Sequence, residues 1–260
     1  MKCIILAAGY ATRLYPLTEN FPKPLLKVGD RTIMDRLVDD IGASGTVDRF
    51  IVVSNHKFAG HFKDWALCRS EAISILDDGT SSNDTRLGAV RDIRFAIDSL
   101  HLEDDLLIIA GDNLLDFSIL SFLHYAESKK TSCIMRYPET DTARLRKSGV
   151  VTVDENDLIL RMEEKPAVPE SRWCCPPFYF YTRQDAARIG EAVDSGCPVD
   201  TPGSLAVWFS SRTAVHAMEM PGRRYDIGNL ESYREVQKHF TGSPEQANVN
   251  SLYLPAQRQQ

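Results

Sequence analysis

The chain has 260 residues, 43% of them hydrophobic and 25% charged, with a formal net charge of −6 at neutral pH. That length supports one substantial core, or one core with a small appended lobe. The acidic balance argues against a broad nucleic-acid-binding face, which needs clustered Lys and Arg, but leaves local cations free to serve a small phosphorylated ligand.

Residues 2–7 form an apolar run that predicts a buried strand. The run enters a turn of small residues, Leu6-Ala-Ala-Gly-Tyr-Ala-Thr-Arg-Leu-Tyr-Pro-Leu-Thr18, followed by Pro22-Lys-Pro-Leu-Leu-Lys27. Small residues let backbone N–H groups approach phosphate oxygens closely, and Arg13 and Lys23 add charge that the backbone lacks. Together they describe a site for a triphosphate. Thr32-Ile-Met-Asp35 has the form of a capping box and opens a helix with Leu37, Val38 and Ile41 on one face; Gly42 and Gly45 end it. Strands follow at residues 50–54, 72–76, 106–110 and 132–136, alternating with helices at 60–69, 88–100 and 118–129. Short apolar strands separated by helices predict a mainly parallel sheet covered on both faces, with ligands beyond the carboxyl ends of the strands. The opening loop and the Gly111-Asp112-Asn113 turn both leave strands at that edge.

From Gly149 the pattern changes. Residues 149–153 and 158–163 read as a hairpin, 178–181 and 214–218 as strands, 184–195 as one helix, and 229–240 as a helix capped by Asn229. No Gly/Ser-rich or Pro-rich linker separates the halves. Residues 1–241 therefore read as a single domain, with a nucleotide-binding half (1–136) and a second-substrate half (137–241), and 242–260 as a tail. The six cysteines lack C-x-x-C spacing and the six histidines form no zinc-ligand grouping, so a zinc or redox centre is not expected. No apolar stretch approaches a membrane span, and no signal-peptide core opens the chain, so a cytoplasmic location is expected.

The opening run resembles the N-terminal signature of the sugar-phosphate nucleotidyltransferases (NDP-sugar pyrophosphorylases), L-A-A-G-x-G-T-R-L-x-P-L-T followed by P-K-P. Ala11 stands where the second glycine is usual; alanine resists positive φ, so a tighter or shifted loop is expected there. The resemblance implies a Rossmann-like α/β fold, its mainly parallel sheet flanked by helices, with an antiparallel substrate-binding extension. It also implies that Leu6, Ala7, Ala8, Gly9 and Thr12, with Arg13 and Lys23, hold the nucleotide. Leu87-Gly88-Ala89 resembles the family's L-G-x-A turn, where Gly88 admits the base edge. Asn83 either reads the base or stabilises its own loop.

A carboxylate at a strand end beside a phosphate loop suits Mg²⁺, although G-D-N also makes ordinary turns. By resemblance Asp112 is the metal-binding aspartate, and Asp226 of Arg224-Tyr-Asp-Ile-Gly228 is the second. Glu163-Glu-Lys-Pro166 resembles the E-K-P element: Lys165 would bind the phosphate of the sugar phosphate and Glu164 the sugar hydroxyls, with Gly149 contacting the sugar through its backbone. The implied reaction is Mg²⁺-dependent transfer from an NTP to a sugar 1-phosphate, giving an NDP-sugar and pyrophosphate. Arg13, Lys23, Asp112 and Lys165 would carry catalysis by positioning and charge neutralisation. A thymine or uracil nucleotide is favoured, with GTP the competitor. Two alternatives stay open: a cytidylyltransferase-type enzyme with a non-sugar phosphate or phosphonate acceptor, and a catalytically silent regulatory subunit. A nicotinamide-dependent oxidoreductase is disfavoured, because the first turn lacks G-x-G-x-x-G. No nucleic-acid or membrane partner is expected, and a homo-oligomer is compatible with the chain.

Overall fold

The computed structural model describes residues 1–240; residue 241 and the tail expected at 242–260 lie outside the described residues. Its centre is the strand Lys2–Leu6, which pairs in parallel with Arg49–Ser54 on one side and Leu106–Ala110 on the other. Ile73–Asp77 extends the block in parallel beyond Arg49–Ser54. Chain order reverses between Lys2–Leu6 and Leu106–Ala110, and a crevice opens at such a switch point beyond the carboxyl ends. The opening loop and the Gly111-Asp112-Asn113 turn leave the sheet there, as the alternating pattern predicts.

The second half continues the same sheet. Phe178–Tyr181 pairs antiparallel with Leu106–Ala110 and with Ser132–Pro138. Pro176-Pro177 breaks the run, and its earlier part, Trp173–Cys175, pairs with both Ser132–Pro138 and Gly149–Val153. Ile159–Glu164 closes the edge as the expected hairpin partner of Gly149–Val153. Val215–Glu219 lies parallel to Ser132–Pro138. The mixed sheet thus has ten strands, a parallel block joined to an antiparallel extension.

Alternate residues of the central strands feed cores on opposite faces. Cys3 and Ile5 join Met34, Val38, Phe62 and Phe122; Ile4 joins Ile93, Ile189, Leu205 and Phe209. The Ile33–Gly42 helix starts at the predicted capping box, with Asp35 N donating to Thr32 Oγ1 (2.9 Å) and Thr32 N to Asp35 Oδ2 (3.1 Å). A third core unites segments far apart in the sequence: Leu14, Leu26, Val28 and Ile33 pack with Leu114, Ile227, Tyr233 and Val236.

The structure corrects the reading of 184–195 as one helix. Arg183–Ala186 and Ile189–Asp194 are separate, and Arg188 between them leaves helical geometry (φ −96°, ψ 0°). The second piece brings Gly190 close to Arg94, where a Cβ would lie 2.7 Å from Nη1. The helix Gly203–Ser210 carries no sequence signal because it is buried nearly all round and shows no polar stripe. It packs on Ile159–Glu164.

Candidate active site

The opening loop leaves backbone donors unpaired among the described residues. Ala7 N completes the sheet ladder to Val53 O (2.9 Å), but among the described residues the amides of Ala8, Gly9 and Tyr10 find no acceptor. A Cβ built on Gly9 would meet nothing within 4 Å, so that glycine leaves room for a ligand instead of serving its own conformation. Asn55, fully buried, donates from Nδ2 to Ala8 O (2.9 Å) and fixes the loop from below. Ala11 takes the left-handed conformation that alanine resists (φ 47°, ψ 41°). Leu14 N and Thr18 Oγ1 both donate to its carbonyl and hold it there. Arg13, exposed and in no ion pair among the described residues, lines a cavity of about 260 Å³ with Leu6, Ala7, Gly9, Lys23 and Asp112. Thr12 lies beside it, exposed, in the same 3-10 turn.

Each residue of the Gly111-Asp112-Asn113 turn has a separate task. Gly111 N donates to Leu6 O (2.9 Å), and a Cβ there would lie 3.0 Å from Ile5 Cγ2, so only glycine brings the two loops together comfortably. Asp112, with 42% of its side chain exposed, meets Lys23 Nζ at 2.7 Å, while Lys23 itself is buried. Burial works to raise the Asp112 carboxyl; the charge and hydrogen bond of Lys23, with Arg224 further off, hold it below the usual aspartate range. Asn113 donates from Nδ2 to Ala110 O (2.7 Å). Ile227 and Gly228 line the same cavity as Asp112, and Asp226 precedes them, exposed. Among the described residues no group of three or more Asp, Glu, His or Cys is arranged to hold a metal.

Glu164 and Lys165 end the edge strand. The Glu164 carboxylate fills a cradle between two glycines: a Cβ on Gly149 would lie 3.0 Å from Oε2, and one on Gly203 would lie 2.1 Å away. Burial pushes this carboxyl above the usual glutamate range, Asp200 adds to the rise, and Lys165 and Thr201 oppose it. Glu164 also lines a second cavity, of about 650 Å³, with Arg161, Glu163, Pro198 and Ser204. Lys165 is left-handed (φ 53°), a strained conformation for a side-chain-bearing residue. Its Nζ points to Asp200 Oδ2 (3.6 Å).

Asp200 had no signal in the sequence, yet it joins the two halves: its Oδ1 accepts from Arg86 Nη2 of the loop after Asn83 (2.8 Å). Gly88 (φ 91°) lets that loop pass, since a Cβ would lie 2.5 Å from Val199 O. Asn83 is exposed, and its Oδ1 accepts from Arg86 Nη1 (3.2 Å), so its carbonyl end serves the loop. Asn55 could have been suspected from the polar Ser54-Asn55-His56 at a strand's carboxyl end. Asp200 could not, because its role depends on chain that folds back over the Gly88 loop.

The family model described as Nucleotidyl transferase matches residues 2–243. A protein of Sulfolobus acidocaldarius, provisionally described as a mannose-1-phosphate guanyltransferase, is 28% identical over 238 residues; the match covers 91% of this chain and 62% of that protein's length. Among solved structures, one provisionally described as a glucose-1-phosphate thymidylyltransferase, from Bacillus anthracis, superposes with a TM-score of 0.76 at 20% identity. That match covers 92% of this chain and 94% of the other. A UDP-glucose pyrophosphorylase with bound UDP-glucose gives 0.77 at 20% identity, covering 91% and 97%. The structural likenesses establish the fold.

Proposed function

The chain belongs to the nucleotidyl transferase family, and we propose that it joins an NTP to a sugar 1-phosphate, forming an NDP-sugar and pyrophosphate. The observation that carries this reading is the Lys23–Asp112 pair at 2.7 Å, set beside a loop whose Ala8, Gly9 and Tyr10 amides are free to receive phosphate. An oxygen of the acceptor's phosphate would attack the α-phosphorus in line as the bond to pyrophosphate breaks. A phosphate monoester is already ionised near neutral pH, so no general base is required. Catalysis then rests on positioning and charge: Arg13 on the departing pyrophosphate, Lys23 on the α-phosphate, Lys165 on the acceptor's phosphate.

Asp112 and Asp226 offer hard oxygen donors, and among the described residues no histidine or cysteine groups with them, a donor set that fits Mg²⁺. They would hold the ion, which when bound supplies positive charge to the phosphates. The Lys23 ammonium is the cation that faces Asp112 in the chain itself. Gly88 and Asn83 border the base site in this reading. The Asn83 amide N–H₂ is free to meet a pyrimidine carbonyl, which favours thymine or uracil, whereas the Sulfolobus relative's description names a guanyltransferase.

A matrix of NTPs against glucose, mannose and galactose 1-phosphates and choline phosphate, read by pyrophosphate release, tests the reaction. Asp112→Asn is expected to lower turnover at least about a thousandfold while leaving the circular dichroism spectrum unchanged. Wild-type-like release by that variant would remove Asp112 from the site, and turnover with choline phosphate alone would replace the sugar acceptor.

A further inference from the structure

Five cations surround the crevice, and their partners differ. Lys23 is paired with Asp112, and Lys165 and Arg86 share Asp200. Arg13 and Arg224 have no carboxylate within 4.0 Å among the described residues. Arg13 lies on the side of the triphosphate loop. Arg224 acts on Asp112 and also reaches the Tyr137 hydroxyl, in the second half of the chain.

Its placement is built, not incidental. Arg224 and Tyr225 form a short antiparallel ladder with Leu115 and Leu114, immediately after the Gly111-Asp112-Asn113 turn. Asn113, almost fully buried, has its amide oriented by donation to Ala110 O, which leaves Oδ1 to accept from Arg224 Nη1 at 3.4 Å. The guanidinium is thereby held by neutral partners, Asn113 and the Tyr137 hydroxyl, and among the described residues it has no carboxylate partner. Its charge acts on Asp112, on the Tyr137 hydroxyl and on the Cys174 thiol. Tyr137 and Cys174 are direct partners in the sheet, and Cys175 next in line faces Gly149, whose neighbour is Glu164. Arg224 therefore looks from Asp112 toward the half that carries Gly149, Glu164 and Lys165.

We propose that Arg224 binds the phosphate of the acceptor, holding it beside Asp112 on the side of Tyr137 and Gly149. A partly buried guanidinium with no carboxylate partner is a demand for an anion, and its planar fork suits phosphate oxygens. The acceptor's phosphate is the anion that must come to rest next to Asp112 on this side. The assignment rests on the reading above that the acceptor is phosphorylated.

The test compares the wild-type chain with Arg224→Gln and Arg224→Lys. KM for the best hexose 1-phosphate, KM for the NTP and the melting temperature are measured, and inorganic phosphate is titrated into the substrate-free protein by calorimetry. Arg224→Gln is expected to raise the acceptor KM about tenfold or more and to weaken inorganic phosphate similarly, while the NTP KM stays within about twofold. Arg224→Lys is expected to recover much of the loss. An unchanged acceptor KM, a rise confined to the NTP, or equal damage by both variants with a fallen melting temperature would overturn the assignment. If the wild type turns over no sugar 1-phosphate, the reading of the acceptor falls separately. The phosphate titration then decides: weaker binding in Arg224→Gln keeps the anion site, and equal binding removes it.

Discussion

Ala11 shows what a single residue contributes to the phosphate loop. The left-handed conformation at this position is imposed by its surroundings, through the two donors on its carbonyl, and not by the residue's own preference. A Cβ in that conformation costs about 1 kcal/mol, which glycine avoids. Ala11→Gly is therefore expected to stabilise the fold by about 1 kcal/mol in denaturant titration, with pyrophosphate release retained. A loss of stability would mean that the alanine methyl contributes packing that outweighs the strain; Ala11 does touch the core that includes Leu14 and Ile227. The sequence made this residue conspicuous as a departure from the family's glycine. It could not show which way the conflict between local preference and tertiary constraint resolves.

At the scale of elements, the helix Gly203–Ser210 and the strand Ile159–Glu164 make the Glu164 cradle between them. The strand was legible from its apolar and charged pattern. The helix was not, because Leu205, Ala206, Trp208 and Phe209 bury every side and erase the 3.6-residue contrast. For the same reason Gly203 carried no signal, although it sets the space for Glu164 as much as Gly149 does. In Gly203→Ala the new methyl would stand 2.1 Å from Glu164 Oε2, and the carboxylate, closed in by Gly149 on its other side, has to leave its position. The expected result is a rise of about tenfold in KM for the acceptor, equivalent to about 1.4 kcal/mol, with the NTP KM unchanged. Alanine suits a helix start, so the melting temperature should hold. An unmoved acceptor KM would show that Glu164 takes no part in holding the acceptor.

Across the whole molecule, the parallel half could be read almost strand by strand, since short apolar runs between helices have few other solutions. What stayed hidden was long-range: Asp200 reaching both Arg86 and Lys165, and the helix Leu230–His239 bracing the first loop. Leu230–His239 packs Tyr233 and Val236 against Leu14, Leu26 and Val28, and Tyr233 Oη donates to Lys27 O at 2.7 Å. No local pattern links positions more than 200 apart. The consequence is that the segment bearing Arg13 and Lys23 depends on the helix Leu230–His239 for its floor. Tyr233→Ala removes a nearly buried ring and that hydrogen bond, and is expected to cost about 2–4 kcal/mol. Because the loss is local to this third core, it should appear first as faster hydrogen exchange at residues 12–33 and a raised KM for the NTP. Exchange in Ile189–Asp194 and Gly203–Ser210, which belong to the core on the opposite face, should be unchanged. Faster exchange confined to residues 230–239, with the NTP KM at its wild-type value, would show that the loop stands without this helix.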